Sequence, residues 1–258
     1  MRTNPIALAS GVLPEFGPLD IIAAARAADF DAVGLWVGLA EWTGATTRDA
    51  KAALAQNGLD LINVEVVRIK PESLVDDHKR TLDIGAELGA KNLLCVSSDP
   101  DLAATAAKLA ALCEHSPGVQ VALEFGIFTE VRNLAMARSV IDAVNHPLAA
   151  ILIDPIHVDR SNTAIAEIAT LPPHLLPYAQ FCDAPTERPK PNDFDAIITD
   201  AINVRMQCGT GALPLAAMLD AIPPDIPLSI EMRSKVLRDN FPDPADRARD
   251  VARAWLAL

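Results

Sequence analysis

The amino-acid sequence predicts an α/β chain closed into a single (β/α)8 barrel over residues 1–258. Two observations predict it. Eight short apolar runs begin near Pro5, Ala32, Leu61, Asn92, Val119, Ala149, Tyr178 and Ile226. Except before the last, they lie about 27 to 31 residues apart, the length of a βα unit and not of a hairpin. Four of the later runs also end on, or just short of, an oxygen-bearing side chain. They read Val119-Gln-Val-Ala-Leu-Glu124-Phe, Ala150-Ile-Leu-Ile-Asp154-Pro-Ile-His157, Tyr178-Ala-Gln180-Phe-Cys-Asp183 and Pro227-Leu-Ser-Ile-Glu231-Met. Converging carboxylates at strand ends fit the C-terminal mouth of a parallel barrel. A doubly wound open sheet gives no reason for eight similar units.

Each element has its own signal. The run from Ile6 to Ser10 lacks the layout of a signal peptide and reads as a first strand. An Ala-rich helix is expected over 19–28, with Asp20 near its start, and a second helix over 46–56 ends at Asn57-Gly58, a C-cap pair. The third run, Ile62-Asn-Val-Glu-Val-Val67, leads to a helix over 71–88 that is acidic early and closes at Gly89. A helix over 129–144, with Glu130 early, stops before His146-Pro147, and a final helix over 242–258 closes the ring. The long interval at about 184–225 reads as an active-site lid or insertion in an otherwise single domain; it contains Arg188, Lys190, Arg205 and a Gly209-Thr210-Gly211 turn.

Strand phase makes the site specific. In the fifth run Gln120, Ala122 and Glu124 share one face, opposite Val121, Leu123 and Phe125. In the eighth, Pro227, Ser229 and Glu231 oppose Leu228, Ile230 and Met232. Bulky apolar groups face the outer helices, so both glutamates point inward at the rim.

Bulk properties exclude several classes. Half the residues are apolar, which argues for a packed core, and no apolar run approaches the ~20 residues of a membrane helix. A net charge of −12 argues against a nucleic-acid partner. Cys95, Cys113, Cys182 and Cys208 show no metal or disulfide spacing, and a reducing, cytoplasmic location is expected.

Glu124, Asp154, Gln180 and Glu231 lie on four successive strands, so their side chains can meet over the barrel axis. Carboxylates that close repel unless a cation neutralises them. An all-oxygen set favours Mg²⁺ or Mn²⁺, with Co²⁺ or Zn²⁺ as lesser candidates. His157, three residues after Asp154, is read as a substrate-facing acid/base, and Glu124 and Glu231 as proton carriers on opposite substrate faces. Arg160 is placed to hold an anionic group or to pair with Asp159, and Arg68 sits at the rim after the third run, where Glu65 could pair with it. Arg188 and Arg205 would complement a carboxylate or phosphate; Trp36, Trp42 and Phe16 would supply an apolar wall or pack in the core.

With these residues the chain resembles the xylose-isomerase-like TIM-barrel superfamily, which groups sugar isomerases and epimerases with family-2 AP endonucleases. The matching features are Ala27-Ala-Asp-Phe-Asp-Ala-Val-Gly-Leu-Trp36, Leu123-Glu-Phe125, Asp154-Pro-Ile-His157-Val-Asp-Arg160-Ser and Leu228-Ser-Ile-Glu231. The resemblance implies that Glu124, Asp154 and Glu231 bind metal and that His157 contacts substrate. Many epimerases of the group have His where this chain has Gln180. A Gln there is similar to bacterial 3-dehydroshikimate dehydratases of the same fold, in which an Arg matching Arg68 contacts substrate. The DNA-repair branch uses a His-rich three-zinc site, which a chain with five His does not match. Barrels similar to this group often pair, which leaves room for a homodimer.

The expected function is therefore a divalent-metal-dependent isomerase or epimerase of a small polyhydroxy ketone, acting through an enediolate. The alternatives are a metal-dependent dehydratase (lyase) of a cyclic hydroxy-ketone or keto acid such as 3-dehydroshikimate, and a non-catalytic sugar-binding barrel.

Overall fold

Eight strands alternate with helices in a computed structural model that describes residues 4–256. The order is β1 (Ile6–Leu8), α1 (Pro18–Ala27), β2 (Ala32–Trp36), α2 (Gly44–Asn57), β3 (Asp60–Ile69), α3 (Val75–Leu88), β4 (Asn92–Ser97), α4 (Leu102–His115), β5 (Gln120–Glu124) and α5 (Leu134–Val144). It continues with β6 (Ala149–Leu152), α6 (Pro155–Arg160), α7 (Ile165–Ile168), β7 (Ala179–Phe181), α8 (Phe194–Asn203), α9 (Leu215–Ala221), β8 (Leu228–Ile230), α10 (Lys235–Asn240) and α11 (Pro244–Leu256). All strand pairs are parallel, in the order β6-β5-β4-β3-β2-β1-β8-β7. A parallel bridge from Ile153 to Ala179 joins the two ends of that row, and Gln180 N–H donates to the Ile153 carbonyl at 2.9 Å. The result is a nearly closed (β/α)8 barrel, as the spacing of apolar runs predicts.

Helix ends follow local chemistry. Thr43 caps α2 in a reciprocal arrangement with Thr46, and Gly58 ends that helix at φ 63°, a left-handed conformation that favours glycine. Gly89 closes α3 at φ 86° in the same way. The expected helix over 129–144 begins later, at Leu134. The Asn133 side chain accepts the Met136 N–H and starts it there, while Glu130 lies in a preceding loop pinned by Thr129. Residues 71–74 likewise precede α3, and α4 is a helix not among those singled out from the sequence. The segment after Asp154, expected as a turn, is the short helix α6. Pro155 occupies its first turn, where no backbone N–H is needed, and the Asp154 carboxylate accepts from Ile156 N–H at 3.1 Å.

The core has two layers. Large aliphatic side chains fill the space between sheet and helices. The barrel interior is narrower and packed with smaller groups, among them Ala7, Ala32, Ala122 and Ala150, with Leu152 and Tyr178. Among the described residues no helix is long and apolar enough to cross a membrane. The four cysteines are free and buried.

The interval 184–225 is built of two helices, α8 and α9, tied back to the barrel. Asp183, just after β7, accepts backbone N–H bonds from Ala184, Gly209, Gly211 and Leu213 at 2.8 to 3.1 Å. Antiparallel bridges Asp183–Met206 and Val204–Ser234 fix the return path. Arg205 lies between them and is thereby aimed back at the barrel mouth.

Candidate metal and catalytic site

Glu124 is the last residue of β5, Glu231 directly follows β8, Asp154 comes two residues after the end of β6, and Gln180 is the middle residue of β7. In the register, Gln180 stands beside Ser229, two residues before Glu231, so strand alternation turns both toward the interior. Glu124, Asp154 and His157 each offer one donor atom, and these atoms lie within 4.8 Å of one another. His157 Nε2 is 3.8 Å from Glu124 Oε1 and 3.9 Å from Asp154 Oδ2. Its ring packs on Phe128, with centroids 4.8 Å apart.

Arg205 completes the cluster from the long interval. Its Nη1 donates to Asp154 Oδ2 at 2.6 Å and lies 2.9 Å from Glu231 Oε2, and its Nη2 is 3.4 Å from His157 Nε2. The Cys182 thiol sits 3.7 Å from Asp154 Oδ1 and 3.4 Å from Arg205 Nη1. Arg205, expected as a loop cation for an anionic substrate, is thus a buried counterion of the carboxylates.

The electrostatics follow from burial and charge. Burial first, then the Glu231 and Asp154 charges, push the Glu124 carboxyl well above the usual range. Burial also raises Glu231, to about 7, although Arg205 opposes the shift. For Asp154 burial acts upward too, but Arg205 and His157 outweigh it and hold the carboxyl low. Burial drives His157 down to about 4, so its imidazole is neutral near pH 7.

The donor set fits a divalent cation. Both side-chain heteroatoms of Gln180 and Oε1 of Glu124 are buried without a hydrogen-bond partner, and a bound ion would take the two oxygens. Glu124, Asp154, Gln180 and Glu231 supply only oxygen, with the His157 nitrogen near by.

A cavity of about 270 Å³ opens above this cluster. Glu124, His157 and Glu231 lie at its base, and Trp36, Arg68 and Phe128 are among its walls. Trp36 is 48% exposed there. Arg68 Nη1 donates to Ser98 Oγ at 3.0 Å and the guanidinium lies 5.8 Å from the Phe128 ring centroid. Burial lowers its pKa and the Glu124 charge opposes that.

The remaining candidates lie elsewhere. Arg160 donates Nε to Asp200, Nη1 to Asp159 and Nη2 to the Pro185 and Glu187 carbonyls, so its donors clamp α6 to the segment after β7. Arg188 bonds Asn162 at 2.6 Å and Asp159 at 2.7 Å. Both line a separate cleft of about 430 Å³ outside the mouth, because Asp159 and Asp200 draw them outward. The structure therefore does not bring these two arginines to the metal-type cluster. Trp42 is buried and donates Nε1–H to Thr47, and Phe16 packs under Arg247; neither is among the residues lining the cavity.

Two cavity residues were not foreseen in these roles. Glu65 is buried and held by Ser10 and by Asn63 Nδ2, not by Arg68. Arg233 follows Glu231 by two residues and lines the cavity from the β8 side. The sequence signal for it is modest: a cation two positions beyond an inward strand-end glutamate.

A family model described as a xylose isomerase-like TIM barrel matches residues 22–257. Among solved structures, the chain is similar to a xylose isomerase-like TIM barrel/4-hydroxyphenylpyruvate dioxygenase fusion protein, at TM-score 0.82 and 20% identity over 97% of this chain. The chain spans 42% of the length of that fusion protein. It is also similar to the IOLI protein with a binding zinc atom, at TM-score 0.83 and 15% identity, covering 100% of this chain and 97% of that one. A third similar structure is D-allulose 3-epimerase from Methylomonas sp. in complex with D-allulose, at TM-score 0.72 and 16% identity over 100% and 97% of the two chains. At these identities the likeness establishes the fold. No curated protein matches the chain in sequence.

Proposed function

The chain belongs to the xylose isomerase-like TIM barrel family, and from that premise we propose that it is a divalent-metal-dependent isomerase or epimerase of a small polyhydroxy ketone. One observation carries the reading: donor atoms of Glu124, Asp154 and His157 converge within 4.8 Å at the barrel rim, and the buried, inward Gln180 amide has no protein partner. Solved relatives of this fold include an epimerase in complex with the keto-sugar D-allulose, which supports the substrate class.

Glu124, Asp154, Gln180 and Glu231 would hold the ion, and their oxygen donors favour Mg²⁺ or Mn²⁺ over softer ions. When bound, it supplies Lewis acidity to adjacent substrate oxygens. Glu124 and Glu231 are the proton carriers. One takes the proton from the carbon next to the carbonyl, leaving an enediolate whose negative charge Arg205 faces. The proton returns to the neighbouring carbon in an isomerase, or to the opposite face of the same carbon in an epimerase. His157, neutral and packed at a tilt against Phe128, orients substrate hydroxyls. Trp36 and Phe128 exclude water from one side of the cavity.

A second reading, dehydration of a cyclic hydroxy-ketone such as 3-dehydroshikimate, is favoured by Arg68 in the cavity wall, where it can hold a carboxylate. The same proton removal then expels the β-hydroxyl as water, the glutamate that took the α-proton returning it to the leaving oxygen by way of the neutral His157 imidazole.

The test is α-proton exchange into deuterated water, followed by NMR, for keto-sugars, keto-inositols and 3-dehydroshikimate. It is run with Mg²⁺ or Mn²⁺ and after chelation. Metal-dependent exchange is expected, and the product distinguishes the two readings. Glu231→Gln should slow exchange by roughly 10²–10⁴-fold with an unchanged circular dichroism melt. A metal-loaded protein that exchanges no panel member, or a fully active Glu231→Gln, sinks the proposal.

A further inference from the structure

Of the three guanidinium groups around the cavity, two already have protein partners. Arg205 is bonded to Asp154 and Glu231, and Arg68 donates to Ser98 and lies on Phe128. Arg233 differs. Its side chain is half-buried, its Nε is buried without a hydrogen-bond partner, and among the described residues no carboxylate forms an ion pair with it. A planar donor fork held in a cavity wall with no acceptor is a ready site for an anionic oxygen group.

Two further features hold it there. The Arg233 backbone is fixed at both ends of its peptide: its N–H donates to the Glu231 carbonyl at 3.2 Å and its own carbonyl accepts from Arg205 N–H at 3.3 Å. Gly11 leaves the space that the side chain occupies, since a Cβ at that position would stand 2.9 Å from Arg233 Cγ and 2.8 Å from Glu231 Oε1. The glycine thus lets a cation and a carboxylate pass side by side beneath the cavity.

The charge balance selects the kind of anion. Glu65, Glu124, Asp154 and Glu231 face Arg68, Arg205 and Arg233. With a divalent ion added, its charge holding the four carboxylates ionised, the site carries one positive charge in excess. A carboxylate closes that balance, whereas a phosphate ester, with about 1.5 to 2 negative charges, overshoots it. We propose that Arg233 is a substrate-binding, specificity-determining residue that pairs with a carboxylate, so that the cavity takes a polyhydroxy keto acid in preference to a neutral keto-sugar. This rests on the cavity being the site of an enolising enzyme and narrows its substrate class.

Calorimetric titration of the whole protein, chelator-treated and Mn²⁺-loaded, tests it with three probes: quinate, myo-inositol and glucose 6-phosphate. Wild type should prefer quinate. Arg233→Gln should weaken quinate binding by about 10- to 100-fold and leave myo-inositol within about twofold, and Arg233→Lys should restore part of the loss. Circular dichroism melts report folding, and the Lys variant, which keeps the aliphatic stem and charge, serves if the Gln variant misfolds. Unchanged quinate affinity in Arg233→Gln, equal loss for quinate and myo-inositol, tighter binding of glucose 6-phosphate, or no quinate binding by wild type overturns the assignment. Proton exchange on the same samples separates this outcome from the enzymatic reading. Exchange with Arg233-independent quinate binding removes only the Arg233 role. Arg233-dependent quinate binding without exchange supports that role and removes the enolising one.

Discussion

Gln180 buries a primary amide with neither its oxygen nor its nitrogen bonded to protein. Such a group costs ~1–3 kcal/mol when left dry. A Gln180→Leu substitution should therefore be neutral or raise stability by up to about 2 kcal/mol in chelator, where the amide has nothing to bind. The same variant should lose most of its bound Mn²⁺ by elemental analysis; a variant that is destabilised in chelator and retains metal contradicts a ligand role. Asp99 is the opposite case, a satisfied acid. Burial pushes its carboxyl up, but the Asp101 N–H and the Lys108 ammonium at 3.0 Å outweigh burial and hold it below the usual value. Because the folded value is the lower one, this contribution is complete above ~3.9 and disappears as pH falls through the folded value. Asp99→Asn should lower Tm at pH 7 and approach wild type only at the acid end of a pH series of thermal melts. Sequence alone reached Glu124 and Glu231 because strand alternation is a local rule. It reached Asp159 as a partner of Arg160 but not Asp200, nor Asp154 as the partner of Arg205, since these lie 40 and 51 residues away.

At the scale of elements, the chain announces its ends better than its beginnings. Gly58 and Gly89 mark the ends of α2 and α3 because a left-handed residue is needed there and glycine supplies it. The start of α5 was misplaced because Glu130 imitates a first-turn acid, whereas Asn133 makes the actual capping bond. The stretch after β7 offered Arg, Lys and Gly residues suggestive of a loop. A hub of its order is Asp183, whose carboxylate gathers four backbone N–H groups. Asp183→Ala should cost about 2–4 kcal/mol by urea unfolding. Limited proteolysis should then cut first within 184–213, and equal cleavage elsewhere would show that the hub is dispensable.

For the whole molecule, a barrel of similar units was legible because every unit repeats the same alternation of apolar run and helix. The spacing survives even where single boundaries shift. The interior contacts were less so, since a cavity wall gathers Trp36 and Arg68 from two strand ends and Phe128 and Arg233 from two loops. If the donors share an ion, binding should stabilise the entire fold. At a hundredfold excess over Kd, Mn²⁺ should add ~2.7 kcal/mol, or about 5–10 °C in Tm for a domain of this size, and chelator should reverse it. A Tm indifferent to Mn²⁺ contradicts a native-state metal site.

The seam between β6 and β7 gives this coupling a mechanical side. β3 and β4 share an extended run of register pairs, from Asn63–Asn92 to Ile69–Ser97, whereas β6 and β7 touch through the single bridge at Ile153 and Ala179. Asp154 and Gln180 stand on either side of that gap. A ligand drawn onto both would also cinch the cylinder at its loosest lacing, so closing the barrel and assembling the chemistry would share one fastening.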